Sequence, residues 1–214
     1  MKNIIIYAVA CIFLLGCVST KNVSLPANKC TTLSGKNMVV TIGDKPDFTA
    51  MTASLAMMGG AGAYQMIADG NVIVKQNSII DPALELSSKL SKMIAKKRKM
   101  RVSGKISIVH DDELNLLVSK FSNDDYILDV RTLQWAFSHF PMDWDNYRVL
   151  YSAKMKFIDV KNKKVVAEGY CKIVPEQTAT SPSYDELLAN KAQVIKDELK
   201  ASMNKCIDEF YRKL

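Results

Sequence analysis

Cys17 carries the clearest chemical assignment in the chain. It follows Leu14-Leu15-Gly16, small and apolar residues that close a short apolar run. This is the pattern that directs cleavage before a cysteine and transfer of a diacylglycerol to its thiol. Lys2 supplies a positive start, and Ile4 to Leu15 give an apolar run of 12 residues. A bilayer core of roughly 30 Å needs about 20 such residues, so the run has signal-peptide length. An ordinary secretory cleavage or an uncleaved anchor are the alternatives. The polar Ser19-Thr20-Lys21-Asn22 after Cys17 favours lipidation. A single acyl chain holds a protein to a membrane only marginally. The three chains of a complete bacterial lipoprotein, diacylglycerol plus an amide-linked palmitate, hold it permanently.

Other reactive groups are sparse. The two histidines, His110 and His139, lie far apart, and neither CxxC nor HExxH spacing occurs, so no metal site is expected. Gly59-Gly60-Ala61-Gly62 lacks the Lys and Ser/Thr that complete a phosphate loop. Cys30 or Cys171 with His139 would be a nucleophile and base in type, but an oxidised structural cysteine is the better reading. Asp129 and Arg131, two apart on one strand face, read as an ion pair across a sheet. No catalytic residue and no cofactor is expected, and the chain is read as not an enzyme.

Removing residues 1–16 leaves 198 of the 214 residues, enough for one domain with a sizeable core. Apolar residues make up 48% and charged residues 24%, ordinary for a globular protein. The formal charge of +7 falls to +6 with loss of Lys2, a balance suited to anionic lipid or cell-wall polymer. Nucleic acid is not an expected partner outside the cytoplasm. Five cysteines become three once Cys11 is removed and Cys17 lipidated. An oxidising compartment then implies one disulfide and one odd thiol.

The elements that must position these groups follow in order. Residues 1–16 read as a signal peptide, 17–37 as a lipidated flexible tether rich in Ser, Thr, Asn and Lys, and 38–214 as a single α/β domain. Met38 to Ile42 is the first strand. Phe48 to Ala68 holds 21 residues without a charge, centred on Gly59-Gly60-Ala61-Gly62-Ala63. It reads as a buried helix or helix pair, with a membrane-inserting or oligomerising helix as the alternative. Asp81-Pro82 starts a helix whose Ala83, Leu86, Leu90, Met93 and Ile94 share a face. Lys105 to His110 is a strand and Asp111 to Phe121 a short helix. Tyr126 to Phe140, Tyr147 to Val160 and Val165 to Val174 form an antiparallel meander with one covered face. Ser183 opens a capping box with Glu186, and a helix of about 28 residues, roughly 42 Å, lies across the sheet. The fold class is α/β in the α+β sense: a mixed, mainly antiparallel sheet with a three-strand meander, covered by the long C-terminal helix and a second helix.

Cys171 lies on the last strand, and Cys206 lies on the apolar stripe of the helix that follows. A Cys171–Cys206 bond is therefore expected, with pairing through Cys30 as the alternative. Two surfaces are candidates for partners. Lys92, Lys96, Lys97, Arg98 and Lys99 form an anionic-surface patch, or else a solvated helix end with cations near its C-terminal dipole. Trp135, Phe137, Phe140, Trp144 and Tyr147 crowd a hairpin tip with His139 and Met142. They read as a partner surface, or as a small second core.

Several stretches resemble a family of uncharacterised Gram-negative outer-membrane lipoproteins over residues 38–212. They are Asp81-Pro82-Ala83, Tyr126-Ile127-Leu128-Asp129-Val130-Arg131-Thr132, Asp143-Trp144, Tyr147-Arg148-Val149, Gly169-Tyr170-Cys171 and Ser183-Tyr184-Asp185-Glu186. The order of elements is similar to periplasmic α/β domains of penicillin-binding-protein activator lipoproteins, the curli-secretion lipoprotein and the N-terminal domain of the Tol translocation protein. Val18 rather than Asp after the cysteine, by resemblance to enterobacterial lipoproteins, implies the outer membrane. The resemblance implies a non-enzymatic lipoprotein facing the periplasm that binds or helps assemble another envelope component. An oligomeric or membrane-inserted structural lipoprotein using residues 48–68 is the alternative, and a small-molecule or lipid carrier the third reading. Cys17→Ser is expected to leave an unprocessed precursor or a soluble periplasmic form. Fractionation after a high-salt wash checks it, and retention in the outer membrane would put the anchor elsewhere.

Overall fold

The computed structural model describes residues 22–214. Residues 1–21, which hold the expected signal peptide and Cys17, lie outside the described residues. The chain runs α1 (Ala27–Cys30), a short turn of 3₁₀ helix (Thr31–Leu33), β1 (Asn37–Ile42), β2 (Thr49–Met51), α2 (Ala53–Ala56) and α3 (Gly59–Asn77). It continues through α4 (Ala83–Arg98), β3 (Arg101–Ile108), α5 (Leu114–Lys120), β4 (Tyr126–Phe140), β5 (Asp143–Asp159), β6 (Lys164–Ile173) and α6 (Tyr184–Lys213).

The sheet has the order β3-β1-β4-β5-β6. β1 pairs in parallel with both β3 and β4, and β2 pairs in parallel with the far end of β4, so β1 and β2 lie end to end along one edge of β4. β4, β5 and β6 form the antiparallel meander. The result is the mixed α+β sheet expected from the sequence, with a parallel half contributed by β1, β2 and β3. β1 is central and reads Met-Val-Val-Thr-Ile, buried from Met38 to Ile42, the composition of a strand covered on both faces.

α4 and α6 cover one face of the sheet with the main core. Asp81 Oδ1 accepts from the Ala83 amide at 3.0 Å, and Pro82 presets the first turn, so α4 starts where its sequence directs. Leu86, Leu90 and Ile94 are its buried stripe. α6 opens with the expected capping box, Ser183 and Glu186 each bonded to the other's backbone. It is not one continuous helix. Asn190, Lys191 and Ala192 have φ of 52–58°, and two helices join across this kink. Such residues cost roughly 1–2 kcal/mol each, and Ala192, fully buried here, is placed by the break. Cys171 on β6 and Cys206 on α6 are joined by a disulfide with Cα atoms 5.4 Å apart, and Cys30 is free. α5 covers part of the opposite face through a smaller core of Leu117, Val118, Val39, Ile127 and Ile158.

Two expectations are corrected. The described part of the expected tether, residues 22–36, is docked. Val23 exchanges backbone hydrogen bonds with Glu168, the Leu25 amide donates to Lys213, and Lys29 pairs with Asp159 at 2.9 Å. Leu25 and Leu33 are buried, and those two side chains decide the outcome against the polar composition around them. Residues 48–68 are not a buried helix or helix pair. Phe48 and Ala50 enter the core, but α2 and the first turns of α3 are mostly exposed. Glycines have no side chain to fill a core, and here they serve close approach: a Cβ on Gly62 would fall 2.0 Å from the Leu55 carbonyl oxygen. Among the described residues no helix is long and apolar enough to cross a membrane.

Gly70 is where α3 meets β2. A Cβ there would sit 2.0 Å from the Phe48 carbonyl oxygen and 3.0 Å from the Ala50 nitrogen. Both are backbone atoms that cannot rotate away. Gly70→Ala is expected to destabilise the domain by at least the 1–3 kcal/mol or so typical of overpacking. A denaturant midpoint measures it, and an unchanged midpoint would mean that α3 is not seated on β2.

Candidate functional site

The sheet face under α5 carries a polar layer. Asp129 and Arg131 are both buried and paired at 2.8 Å, and Thr41 donates to the second Asp129 oxygen at 2.7 Å. Arg131 spends its remaining donors on the His110 and Asp111 carbonyls, at 3.1 and 2.8 Å. Asp112, next along that loop, accepts from Lys154 and Lys156. Burial alone would raise the Asp112 carboxyl, but the two lysine hydrogen bonds outweigh it and hold the group well below the usual carboxylate range. Every charge in this layer has a protein partner, so the layer fixes the 109–112 loop to the sheet and leaves no group free for a ligand.

Among the described residues the candidate nucleophiles and base do not meet. Cys171 is in the disulfide, His139 Nδ1 meets the Phe140 carbonyl, and Cys30 points at the Pro26 carbonyl. Cys30 belongs with the Lys29–Asp159 end of the sheet, opposite Tyr126, whereas His139 sits thirteen residues further along β4. At about 3.3 Å per residue that is on the order of 40 Å. Among the described residues no group of three His, Cys, Asp or Glu could hold a metal ion.

The basic patch is partly absorbed into structure. Lys97 lies over the Tyr211 ring at 4.3 Å, and Arg98 donates twice to the Leu214 carbonyl oxygen at 2.9 and 2.6 Å. Lys99 ends α4 in a left-handed conformation. Lys92 and Lys96 remain exposed.

The five aromatic residues expected at a partner surface separate, which corrects that assignment. Trp135, Phe137, Phe140 and Tyr147 are buried. Phe48 meets the Trp135 ring edge-on at 5.1 Å, and Phe137, Tyr147 and Tyr184 pack together at 5.7–6.0 Å. The Trp135 indole donates to the Pro46 carbonyl at 2.8 Å. Phe140 stacks against the Arg148 guanidinium at 5.0 Å. Trp135, Phe137 and Tyr147 are core because Phe48, α3 and the start of α6 close over this part of the sheet. Met142, 95% exposed in the turn between β4 and β5, and Trp144, 56% exposed at the start of β5, stay outside.

A second exposed set, from the 48–68 stretch read above as an alternative oligomerising segment, lies toward the same end. β2 runs parallel to β4 with Met51 opposite Ser138, so the chain leaves β2 level with the end of β4. The α2–α3 turn therefore lies at the same end of the sheet as the hairpin tip. It exposes Met57 (69%) and Met58, and Tyr64 (77%) follows on α3. The signal was present in the 21 uncharged residues, but only the structure shows them turned outward.

No family description matches the chain, and no curated protein matches it. Solved structures are similar in outline. The PelC dodecamer from Paraburkholderia phytofirmans is 16% identical, covering 86% of this chain and 94% of that one, with a TM-score of 0.33. The LpoB C-terminal domain from Salmonella enterica is 9% identical over 66% of this chain and 84% of that one, with a TM-score of 0.30. A lipoprotein from Neisseria meningitidis is 11% identical over 81% and 99%, with a TM-score of 0.29. At these scores the likenesses assign neither a family nor a function.

The two tryptophans separate surface from core. Trp144→Ala is expected to change stability by no more than about 0.5 kcal/mol, and Trp135→Ala to cost about 3–5. Equilibrium denaturation measures both. A loss of several kcal/mol at Trp144 would make it a core residue and remove it from any docking surface.

Proposed function

We propose that this chain is a non-enzymatic lipoprotein, anchored by Cys17 to the outer membrane and facing the periplasm, that docks another envelope component through the apolar end described above. Residues 22–36 would travel with the 38–214 domain as one body. The observation that carries the reading is the exposure of five large apolar side chains, Met57, Met58, Tyr64, Met142 and Trp144, which the pairing of β2 with the far end of β4 places toward one end of the sheet. A soluble domain gains nothing from presenting these groups to water, and large exposed apolar patches mark interaction sites. Methionines adapt to irregular partner surfaces, and Trp and Tyr supply anchoring area. The disulfide fits an oxidising compartment.

Self-association through residues 48–68 draws on the same surface, since Gly59 and Gly60 have open space where a side chain would sit. One experiment addresses both. A photo-crosslinking residue placed at Met58 and, separately, at Trp144 is expected to capture the same partner in cells, while one at exposed Glu198 on α6 does not. Capture of a second copy alone would select the oligomer. Identical products from all three positions, or none from Met58 and Trp144, would overturn the docking role of this end.

A further inference from the structure

The chain leaves a half-open groove of about 500 Å³ between the Ser78–Pro82 loop, the first turns of α4, Ile106 of β3 and the middle of α6. None of the residues of the apolar end lines it. Its size falls within the 300–1,000 Å³ or so that small-molecule sites occupy. Its walls are mainly apolar: Ile80, Leu84, Ile106, Leu199 and Met203. Ile80 is 75% exposed and Leu84 is also exposed, so the mouth presents aliphatic surface to water.

Charge selects the occupant. Lys196 and Lys200 border the groove one helical turn apart on α6, and neither has an ion-pair or hydrogen-bond partner among the described residues. Like charges at this spacing repel. The two carboxylates of the lining do not relieve them. Glu85 is held by Lys89 at 2.7 Å. Asp81 accepts from the Ala83 amide and from the Thr132 hydroxyl. The site thus offers an aliphatic trough with two free cations at its border. A neutral lipid would leave the cations unused.

We infer that this groove binds a single-chain amphipathic anion, its acyl chain along Ile80, Leu84, Ile106, Leu199 and Met203 and its anionic head on Lys196 and Lys200. The shared chemistry is one acyl chain with one anion, and the source is a free fatty acid or a lysophospholipid.

The test uses the full chain in isolated membranes and three photoreactive probes of matched chain length: ω-diazirine palmitic acid, its neutral alcohol, and the corresponding lysophosphatidylglycerol. Crosslinked peptides are mapped by mass spectrometry. At least one anionic probe is expected to label residues 78–88 and 196–203 about tenfold more than the alcohol, the ratio that a charge-assisted contact gives. Which anionic probe does so assigns the head as carboxylate or phosphate. Lys196→Ala with Lys200→Ala is expected to remove that preference without changing the melting temperature, since both side chains lie at the surface. Leu84→Trp, which fills the trough from a solvent-facing position, is expected to lower labelling by every probe. Equal labelling by the alcohol, undiminished labelling of the double variant, or crosslinks on surfaces away from the groove would each overturn the inference.

Discussion

The pairing of β4 with β5 fixes which side chains become core. β5 alternates without interruption, with Tyr147, Val149, Tyr151, Ala153, Met155 and Phe157 all facing α4 and α6. β4 matches it from Leu128 to Thr132, and then the register shifts by one residue before Gln134. The shift falls at Leu133 and leaves that side chain exposed. Beyond it, Trp135 pairs with Tyr151 and Phe137 with Val149, so both rings turn toward the helices. A strand without the bulge would put Gln134 and Ala136 in their places, because a one-residue slip flips every later side chain. The aromatic cluster under α6, and the separation of Trp135 from Trp144, both depend on this one extra residue.

The opposite face needs a different solution. Asp129 and Arg131 are buried there with a full set of partners, and the arginine reaches the backbone of the 109–112 loop. A buried ion pair contributes little net stability, but removing one partner leaves an uncompensated charge. The pair therefore serves mainly to hold the loop in one place. Asp112 then bonds the two β5 lysines from that loop. Gly43 fits the same arrangement, since a Cβ there would crowd the Arg131 side chain at 3.1 Å.

Much of this fold was legible because its signals are local. Asp81-Pro82 marks the start of α4, Ser183 and Glu186 mark the start of α6, and strict alternation marks β5. β4 was legible in extent, Tyr126 to Phe140, but not in facing, since a bulge leaves no mark in composition. The break at Asn190–Ala192 was hidden for the same reason, as an apolar stripe in threes and fours continues across it. Docking of residues 22–36 depends on Leu25 and Leu33 finding distant cavities, and polar neighbours masked them. The candidate surfaces were harder still. Exposure of Met57 and Tyr64 follows from where β2 pairs along β4, a relation between residues far apart in sequence. The groove beside Lys196 unites segments more than a hundred residues apart and has no counterpart in any single motif.

The docked N-terminal segment bears on how far the domain travels. Asn22 already accepts a hydrogen bond from Tyr170 of β6. A lipid on Cys17 would leave a stretch of five residues, which spans at most about 18 Å when fully extended. That is a shorter leash than the β4–β5 hairpin is long. A protein held so closely would patrol a thin shell next to its bilayer and would not reach across the compartment. Any component captured by a domain so anchored would have to be embedded in that membrane or extend up to its surface, and its capture rate would be set by lateral encounter in two dimensions.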